Sequence, residues 1–403
     1  MRSIRFAALL GAAGVLALAQ PAAAQKKYGP GVTDSEIKLG QTMPYSGPAS
    51  AYGAIGKAEV AYFKMVNEQG GVNGRKIELI SLDDSYSPAR TVEQVRKLVE
   101  EEQVLALFNT LGTPTNTAIH KYVNAKKVPH LFLATGATKW GDPKNFPWTI
   151  GFQPSYQVEA KIYAKYVLKN KPDAKIAILF QNDDYGKDYV KGFKDGLGDK
   201  AKSMIVAEVS YEVTDPTIDS QIVTLKASGA DVFFDVTTPK FAAQAVRKSY
   251  DIGWKPLHLL NNVSSSVGAV LMPAGLDKSI GLVTALYGKD PTDPQWAKDA
   301  GMQRWRDFMA KYMPGADTND VNYVYGYGAA QLMTLVLKAC GDDLTRENLM
   351  KQATSLKDVV LDTSLPGITI STGPNDYFLV EQLQLARFDG KRWVRFGEVI
   401  GHE

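Results

Sequence analysis

The sequence contains a single cysteine, Cys340, among its 403 residues, so one chain cannot form an internal disulfide. The neighbours of Cys340 are apolar and follow a helical pattern, which predicts a buried structural thiol. A strong charge imbalance is also missing, since 46 basic and 43 acidic residues give a formal net charge of +3. This balance gives no electrostatic reason to expect binding to nucleic acid or to an anionic membrane.

Common catalytic motifs are absent as well. The sequence has no Gly-x-Ser-x-Gly, Gly-x-Gly-x-x-Gly, phosphate-loop or His-x-x-x-His pattern. The four histidines are far apart and fall in predicted helices, strands or the tail, which favours structural roles: His120, His130, His258 and His402. We therefore expect no enzyme, no metal site and no cofactor.

A long apolar run occurs only at the start of the chain. Residues 6–19 are apolar, follow a short positive segment and precede the small residues Ala22-Ala23-Ala24. The run is shorter than the roughly 20 residues that a membrane-spanning helix needs. The pattern predicts a signal peptide at residues 1–24 and a secreted, soluble mature chain. Its removal lowers the formal net charge from +3 to +1, because the segment holds Arg2 and Arg5 and no acidic residue.

Strand and helix patterns alternate along the rest of the chain. Residues 37–43 alternate apolar and polar side chains as a strand does, and residues 52–69 repeat apolar side chains at helical steps. Residues 76–82 form the next predicted strand, and the same unit recurs many times. This alternation predicts an α/β fold with doubly wound, mainly parallel sheets. Near the end, residues 376–399 alternate as antiparallel strands do.

The alternation of predicted strands and helices is interrupted at residues 146–154, after which a second α/β series begins. Helices near 294–312 and 322–340 are expected to pack back on the first series. The length exceeds one average core, so two lobes are expected. The predicted first lobe comprises residues 25–151 and 286–366, and the second comprises residues 152–285 and 367–403.

Polar and aromatic residues collect where predicted strands end. In open α/β sheets, ligands bind beyond the carboxyl ends of the strands. The candidate ligand-binding residues selected in this way are Tyr45, Tyr52, Thr110, Leu111, Gly112, Thr113, Ala134, Thr135, Gly136, Thr138, Tyr185, Thr237, Asn261 and Asn262. Small hydroxyls, amides and aromatic rings suit a small molecule with one polar end.

The segment Gly112-Thr113-Pro114 precedes a helix that is predicted to end near Ala125. Thr113 suits the N-cap position and Pro114 suits the first turn, so an ordinary helix start would explain both. Alternatively, the free N–H groups and the positive end of the helix dipole hold a carboxylate without a basic side chain. The residues alone leave both interpretations open.

An ordered series of motifs also carries a resemblance: Ser46-Gly47-Pro48, Tyr52-Gly53, residues 67–75 and Asp83-Asp84. The series resembles the amino-terminal half of the periplasmic leucine–isoleucine–valine-binding proteins, the type I solute receptors of ABC importers. The resemblance covers almost the whole mature chain. It implies two doubly wound lobes joined by three crossovers, the type I periplasmic binding protein fold, which closes on a ligand between the lobes. A monomer that delivers its ligand to an ABC permease in the inner membrane is expected.

The resemblance also implies residue roles. In this family the ligand carboxylate sits at the loop that matches Gly112-Thr113, and aromatic residues pack on the ligand at the positions of Tyr52 and Tyr185. Either Thr135 or Thr138 fills the family's threonine position. The two cysteines of the usual family disulfide fall near Tyr86 and Leu111, so that bridge is absent here.

Two departures from the family concern the ligand. Relatives that bind aliphatic amino acids carry a serine at the position of Gly112 and a glutamate near residues 261–263, where it neutralises the ligand ammonium. Burying an ammonium without an anionic partner costs several kcal/mol, and Asp183, Asp184 or Asp235 would have to replace the glutamate. We therefore expect a carboxylate without an amino-acid head group, such as an aromatic acid. A branched-chain amino acid is the alternative, and a ligand-sensing regulator fits the secretion signal less well.

Overall fold

The computed structural model describes residues 26–401, so the predicted signal peptide at residues 1–24 and His402 lie outside the described part. The strands are β1 (Lys27–Tyr28), β2 (Glu36–Met43), β3 (Lys76–Asp83), β4 (Ala106–Phe108), β5 (His130–Leu133), β6 (Thr149–Gly151), β7 (Ile176–Gln181), β8 (Ile205–Tyr211), β9 (Val232–Val236), β10 (Leu257–Leu260), β11 (Val283–Leu286), β12 (Asp343–Leu344), β13 (Gln384–Phe388) and β14 (Trp393–Arg395). The helices are α1 (Gly53–Glu68), α2 (Pro88–Arg96), α3 (Thr113–Ala125), α4 (Tyr156–Asn170), α5 (Asp184–Leu197), α6 (Ala201–Met204), α7 (Asp219–Ala227), α8 (Pro239–Asp251), α9 (Met272–Ala274), α10 (Ala300–Tyr312), α11 (Val321–Cys340) and α12 (Arg346–Ala353).

Two sheets organise the chain, and both are flanked by helices. The first has five parallel strands in the order β3-β2-β4-β5-β6. Strands β4 and β5 are wholly buried, as expected for central strands covered on both faces. We call this sheet with its helices the first lobe. The predicted α/β alternation is therefore confirmed.

The second sheet has seven strands in the order β14-β13-β11-β10-β9-β7-β8. Its central strands are parallel, whereas β13 pairs antiparallel with both β11 and β14. We call this sheet with its helices the second lobe. The residue boundaries of the two lobes given above stay a prediction.

The antiparallel ending is shorter than the sequence pattern predicts. Residues 376–399 alternate throughout, but only β13 and β14 are strands there. Before β13 the backbone pairing is limited to isolated bridges, of Asp376 with Gly373 and of Leu383 with Ile400, and the side chains of Tyr377, Leu379 and Val380 are buried by packing. The Tyr377 hydroxyl donates to the Pro147 carbonyl oxygen (3.1 Å), and the Phe378 ring occupies the space beside Gly141.

Helix α11 packs on α1, as expected for the returning chain. Gly326 permits this close approach, because a Cβ at that position would lie 2.5 Å from the Ile55 carbonyl oxygen. The rings of Tyr62 and Tyr327 meet edge to face at 4.9 Å between centroids.

Cys340, at the end of α11, is buried and unpaired, and burial raises the pKa of its thiol to about 12. No helix within residues 26–401 has the length and apolarity needed to cross a bilayer.

Candidate ligand-binding site

A cavity lies between the lobes, where the carboxyl ends of β3, β5, β9, β10 and β11 face each other. Its empty space, counted to its open mouth, is about 1110 Å³. The position of the cavity follows the rule that ligands bind beyond the carboxyl ends of strands. Within the described residues, no cluster of side chains is suited to hold a metal ion.

Aromatic residues form much of the cavity wall. Those that line it are Tyr52, Tyr86, Phe152, Tyr156, Tyr185, Tyr287 and Tyr325. The Tyr156 and Tyr185 rings meet edge to face at 5.5 Å between centroids, as do Phe152 and Tyr325 at 5.2 Å. Burial raises the pKa of every lining tyrosine, so each hydroxyl stays neutral and keeps its proton to donate.

The amino-terminal end of α3 opens into the cavity at Gly112 and Thr113. Gly112 is the N-cap, with φ 102° and ψ 147°, and no side chain caps the helix. The expectation that Thr113 is the N-cap is wrong by one residue, because the Thr113 hydroxyl is paired with the Thr135 hydroxyl (2.7 Å). No described residue accepts a hydrogen bond from the backbone N–H of Thr113 or Thr115.

The chemistry of this helix end suits an anion. Unpaired N–H groups and the helix dipole favour a negative charge there. No Lys, Arg or His side chain lines the described cavity wall, so no basic group competes for that role. The arrangement suits a carboxylate that is held by backbone N–H groups and flanked by neutral tyrosines.

Seven of the fourteen candidate residues line the cavity. They are Tyr52, Leu111, Gly112, Thr113, Ala134, Tyr185 and Asn262. Two others contact lining residues, since Thr135 is bonded to Thr113 and the Asn261 amide is hydrogen-bonded to the Tyr185 hydroxyl. Gly136 also touches the wall through its carbonyl oxygen, which accepts from the Tyr156 backbone N–H (2.8 Å).

The other four candidates do not line the cavity, and the side chain of each makes a hydrogen bond to another residue. The Tyr45 hydroxyl pairs with Ser81 (2.6 Å), and the Thr110 hydroxyl donates to Asn116 (2.6 Å). The Thr138 hydroxyl donates to Asp188 (2.9 Å). The Thr237 hydroxyl donates to Asp235 (2.6 Å), and its neighbour Thr238 lines the cavity instead.

The three aspartates considered as partners for an ammonium have other roles. Asp183 caps α5 and accepts from the backbone N–H of Tyr185 (2.9 Å). Asp184 pairs with Lys139 (2.6 Å), and Asp235 pairs with His258 (2.9 Å). None of the three lines the cavity.

Several residues that line the cavity were not among the candidates selected from the sequence. Tyr86 and Tyr287 follow β3 and β11 directly, so the strand-end rule applied more widely would have selected them. Tyr325 and Asn322 lie on α11, and Asp290 lies between β11 and α10. No local sequence pattern indicates that these positions reach the cavity, because only the folding of the whole chain brings them there.

A buried carboxylate lies directly behind the wall of the second lobe. Glu159 accepts from the hydroxyls of Tyr163 (2.8 Å) and Tyr189 (2.7 Å) and from the backbone N–H of Asn262 (2.7 Å). Burial raises its pKa to about 7, although these donors oppose the shift. Glu159 therefore positions Asn262 without lining the cavity itself.

Direct contacts join the lobes around the cavity. The Tyr52 hydroxyl donates to the Val263 carbonyl oxygen (3.0 Å) within it. On one rim, Thr138 of the first lobe donates its N–H (2.8 Å) and hydroxyl to Asp188 of the second lobe. On another, the Ser266 hydroxyl donates to Asp320 (2.8 Å). The lobes thus enclose the cavity from both sides.

Comparison with known proteins identifies the family. A family model described as periplasmic binding protein matches residues 36–392. Leu/Ile/Val-binding protein homolog 7 of Brucella suis biovar 1 (strain 1330) is 25% identical over 400 residues, covering 95% of this chain and 93% of that protein.

Solved structures agree in fold. A branched chain amino acid ABC transporter protein from Thermus thermophilus with bound valine has a TM-score of 0.83 at 18% identity, covering 92% of this chain and 98% of that one. A solute binding protein of an ABC transporter from R. palustris in complex with benzoate has a TM-score of 0.76 at 20% identity, with the same coverage of 92% and 98%. The fold is that of the type I periplasmic binding proteins. The chain belongs to the periplasmic binding protein family, whose members are solute-binding proteins of ABC transporters and not enzymes.

Proposed function

We propose that the protein is the periplasmic receptor of an ABC importer for a small carboxylate without an amino-acid head group, with an aromatic acid as the favoured class. The observation that carries this proposal is the uncapped start of α3, which opens into an aromatic cavity without a basic side chain. Backbone N–H groups there supply the anion site.

The acidic groups argue against an amino acid. An α-ammonium lies next to its carboxylate, so its anionic partner would have to lie beside the start of α3. Asp183, Asp184 and Asp235 are engaged elsewhere. The acid on the described wall, Asp290, instead has its pKa raised by burial and, to a lesser extent, by the charges of Asp293 and Asp320. The benzoate complex of the R. palustris protein shows that this fold accommodates an aromatic acid.

The transport cycle would follow from the two lobes. A ligand docks on one wall, and closure adds the contacts of the other wall and excludes water. The closed monomer, exported to the periplasm after loss of residues 1–24, then presents both lobes to a permease in the inner membrane.

A thermal-shift screen of residues 25–403 tests the ligand class. We expect benzoate and related aromatic acids to raise the melting temperature, because a ligand at one hundred times its Kd stabilises by about 2.7 kcal/mol. Benzamide is the matched control, since it lacks the carboxylate. Stabilisation by leucine or valine but by no aromatic acid would contradict the proposal and favour the branched-chain alternative.

The contact between Thr138 and Asp188 gives a test of closure. Replacing Asp188 by alanine removes the acceptor of two hydrogen bonds between the lobes, so ligand affinity should fall about tenfold, equivalent to about 1.4 kcal/mol. Isothermal titration calorimetry measures the change. Asp195→Ala is the control, because Asp195 lies on the same helix and pairs only with Lys191. Equal affinities of the Asp188 variant and the wild type would show that this contact does not contribute to closure.

A further inference from the structure

We propose that residues 359–370, which we call the strap, form the wall that selects the apolar body of the ligand, and that Asp362 is the positioning residue that fixes this wall. The inference rests on the proposed carboxylate ligand and deepens it, because it assigns a contact to the rest of that molecule. The strap contains neither a helix nor a strand, so individual contacts must hold it in place.

The strap supplies a mainly apolar part of the cavity wall. Its lining residues are Leu361, Thr363, Ser364, Ile368 and Ile370. Three of these five side chains are aliphatic, and none is charged. Such a surface favours an apolar group of matching shape, because aliphatic side chains offer contact area and no hydrogen bonds.

Backbone hydrogen bonds close the strap at its base and attach it near its middle. At the base, Val359 and Ile370 exchange two bonds, of 2.9 and 2.8 Å. Near the middle, the Leu365 N–H donates to the carbonyl oxygen of Tyr287 (3.1 Å), which follows β11. These bonds fix the course of the strap but leave the side toward α10 and α11 to be held by side chains.

Asp362 makes those side-chain contacts. Its carboxylate accepts two hydrogen bonds from the Arg304 guanidinium, one of them from Nε (2.9 Å), and a third from the Tyr327 hydroxyl (3.0 Å). Its backbone N–H donates to the Gln331 side-chain oxygen (3.0 Å), and its carbonyl oxygen accepts from the Lys289 ammonium (2.9 Å). Asp362 therefore joins the strap to α10, to α11 and to the segment after β11.

The position of Asp362 between two lining residues connects these contacts to the cavity. Leu361 and Thr363 line the cavity, whereas Asp362 does not and bonds to the helices behind the strap. Its side chain is only 10% exposed, and a buried carboxylate that loses its partners is costly. If Arg304 or Asp362 is replaced, the turn must rearrange, and both neighbouring lining residues move with it.

The strap and the proposed anion site are held by different contacts. At the start of α3, the Gly112 N–H donates to the Ala134 carbonyl oxygen (3.3 Å), and the Thr113 hydroxyl pairs with Thr135 (2.7 Å). Among the described residues, no hydrogen bond joins this loop to the strap. Loosening the strap should therefore change which apolar body is accepted and leave the capture of the carboxylate in place.

Calorimetry with acids that differ only in their apolar end tests the strap. The probes are benzoate and its 4-methyl, 4-ethyl and 4-butyl derivatives. In the wild type, Kd should differ at least about tenfold between the best and the weakest of the four, because a fixed wall discriminates by single methylene groups. In Asp362→Ala this spread should fall to about threefold or less, since a loosened wall fits the best acid less well and excludes the others less strictly.

Arg304→Ala gives a second route to the same result. The Arg304 side chain is 60% exposed and does not line the cavity, so its removal carries little risk for folding. It should also reduce the spread. The double variant of Arg304 and Asp362 should behave as Asp362→Ala does alone, because both residues act through one ion pair.

Asp342→Ala is the matched control. Asp342 pairs with Arg75 (2.7 Å) and does not line the cavity, so this variant also loses an Arg–Asp pair. It should have a lower melting temperature but the full spread of Kd values.

Two results would overturn the strap and leave the carboxylate proposal intact. One is a spread below about threefold in the wild type, and the other is a lower melting temperature of Asp362→Ala with an unchanged spread. Failure of all four acids to bind the wild type would overturn both proposals.

Discussion

Replacing Gly112 by alanine is expected to raise the Kd for the carboxylate ligand by about one hundredfold or more. The backbone of Gly112 has φ 102° and ψ 147°, a region that is essentially restricted to glycine and costs other residues about 1–3 kcal/mol. A Cβ there would lie 2.6 Å from both Thr115 Oγ1 and Tyr86 Cε2. The loop must therefore shift, and the N–H groups at the start of α3 lose their direction toward the ligand.

Calorimetric titration with benzoate, or with the acid that the screen identifies, measures this loss. Gly70→Ala is the matched control, because Gly70 also has φ 102° but a Cβ at that position would meet nothing within 4 Å. Both variants should have a lower melting temperature, since both carry backbone strain, but only Gly112→Ala should lose affinity. Binding by Gly112→Ala at the wild-type affinity would show that the start of α3 does not hold the ligand.

The contact between Gly112 and Tyr86 also gives a physical meaning to a difference noted in the sequence. The resemblance noted in the sequence implies a serine at the position of Gly112 in relatives that bind aliphatic amino acids. Here the Tyr86 ring occupies the space that such a side chain needs. Glycine at 112 and the aromatic ring at 86 thus form one coupled feature beside the proposed anion site, because the ring fills the space that a side chain at position 112 would need.

The sequence predicted the periodic part of the fold well. The amphipathic pattern of residues 52–69 corresponds to α1, and the predicted strands at residues 37–43 and 76–82 lie within β2 and β3. These elements could be predicted because the spacing of apolar residues along a short stretch of sequence determines whether it forms a helix or a strand. Residues 376–383 show the limit, because their alternation predicts a continuous strand, whereas the structure has only isolated bridges at Asp376 and Leu383 there.

The cavity was predictable only where strands end. That rule selected Tyr52, Gly112 and Tyr185, which line it, but it also selected Thr237, whereas the neighbouring Thr238 lines the cavity. The choice depends on which way one residue faces after β9, and the hydrogen bond from Thr237 to Asp235 decides it. Asp290 and Asn322 could not be predicted as lining residues from the sequence. Asp290 lies in the segment between β11 and α10, and Asn322 lies on α11, where the chain returns to the first lobe.

Replacing Glu159 by glutamine should stabilise the protein increasingly as the pH rises. Burial raises the pKa of Glu159 from 4.5 to about 7 in the folded state. The folded protein therefore holds this proton more tightly than the unfolded chain does, so the ionisation of Glu159 opposes folding. The destabilisation is absent below about pH 4.5, grows between pH 4.5 and 7, and is complete above pH 7. A shift of this size corresponds to roughly 3 kcal/mol.

Glutamine retains the shape of Glu159 and an oxygen that accepts from Tyr163 and from the Asn262 N–H, but it cannot ionise. Urea unfolding from pH 4.5 to 8 measures the free energy of unfolding of both proteins, and the variant should gain roughly 3 kcal/mol on the wild type across this range. Glu93→Gln, at an exposed position, is the control and should show no such pH-dependent gain. A constant difference between Glu159→Gln and the wild type at every pH would mean that Glu159 ionises equally well in both states. In that case the donors around the carboxylate, and not its burial, would dominate this wall of the cavity.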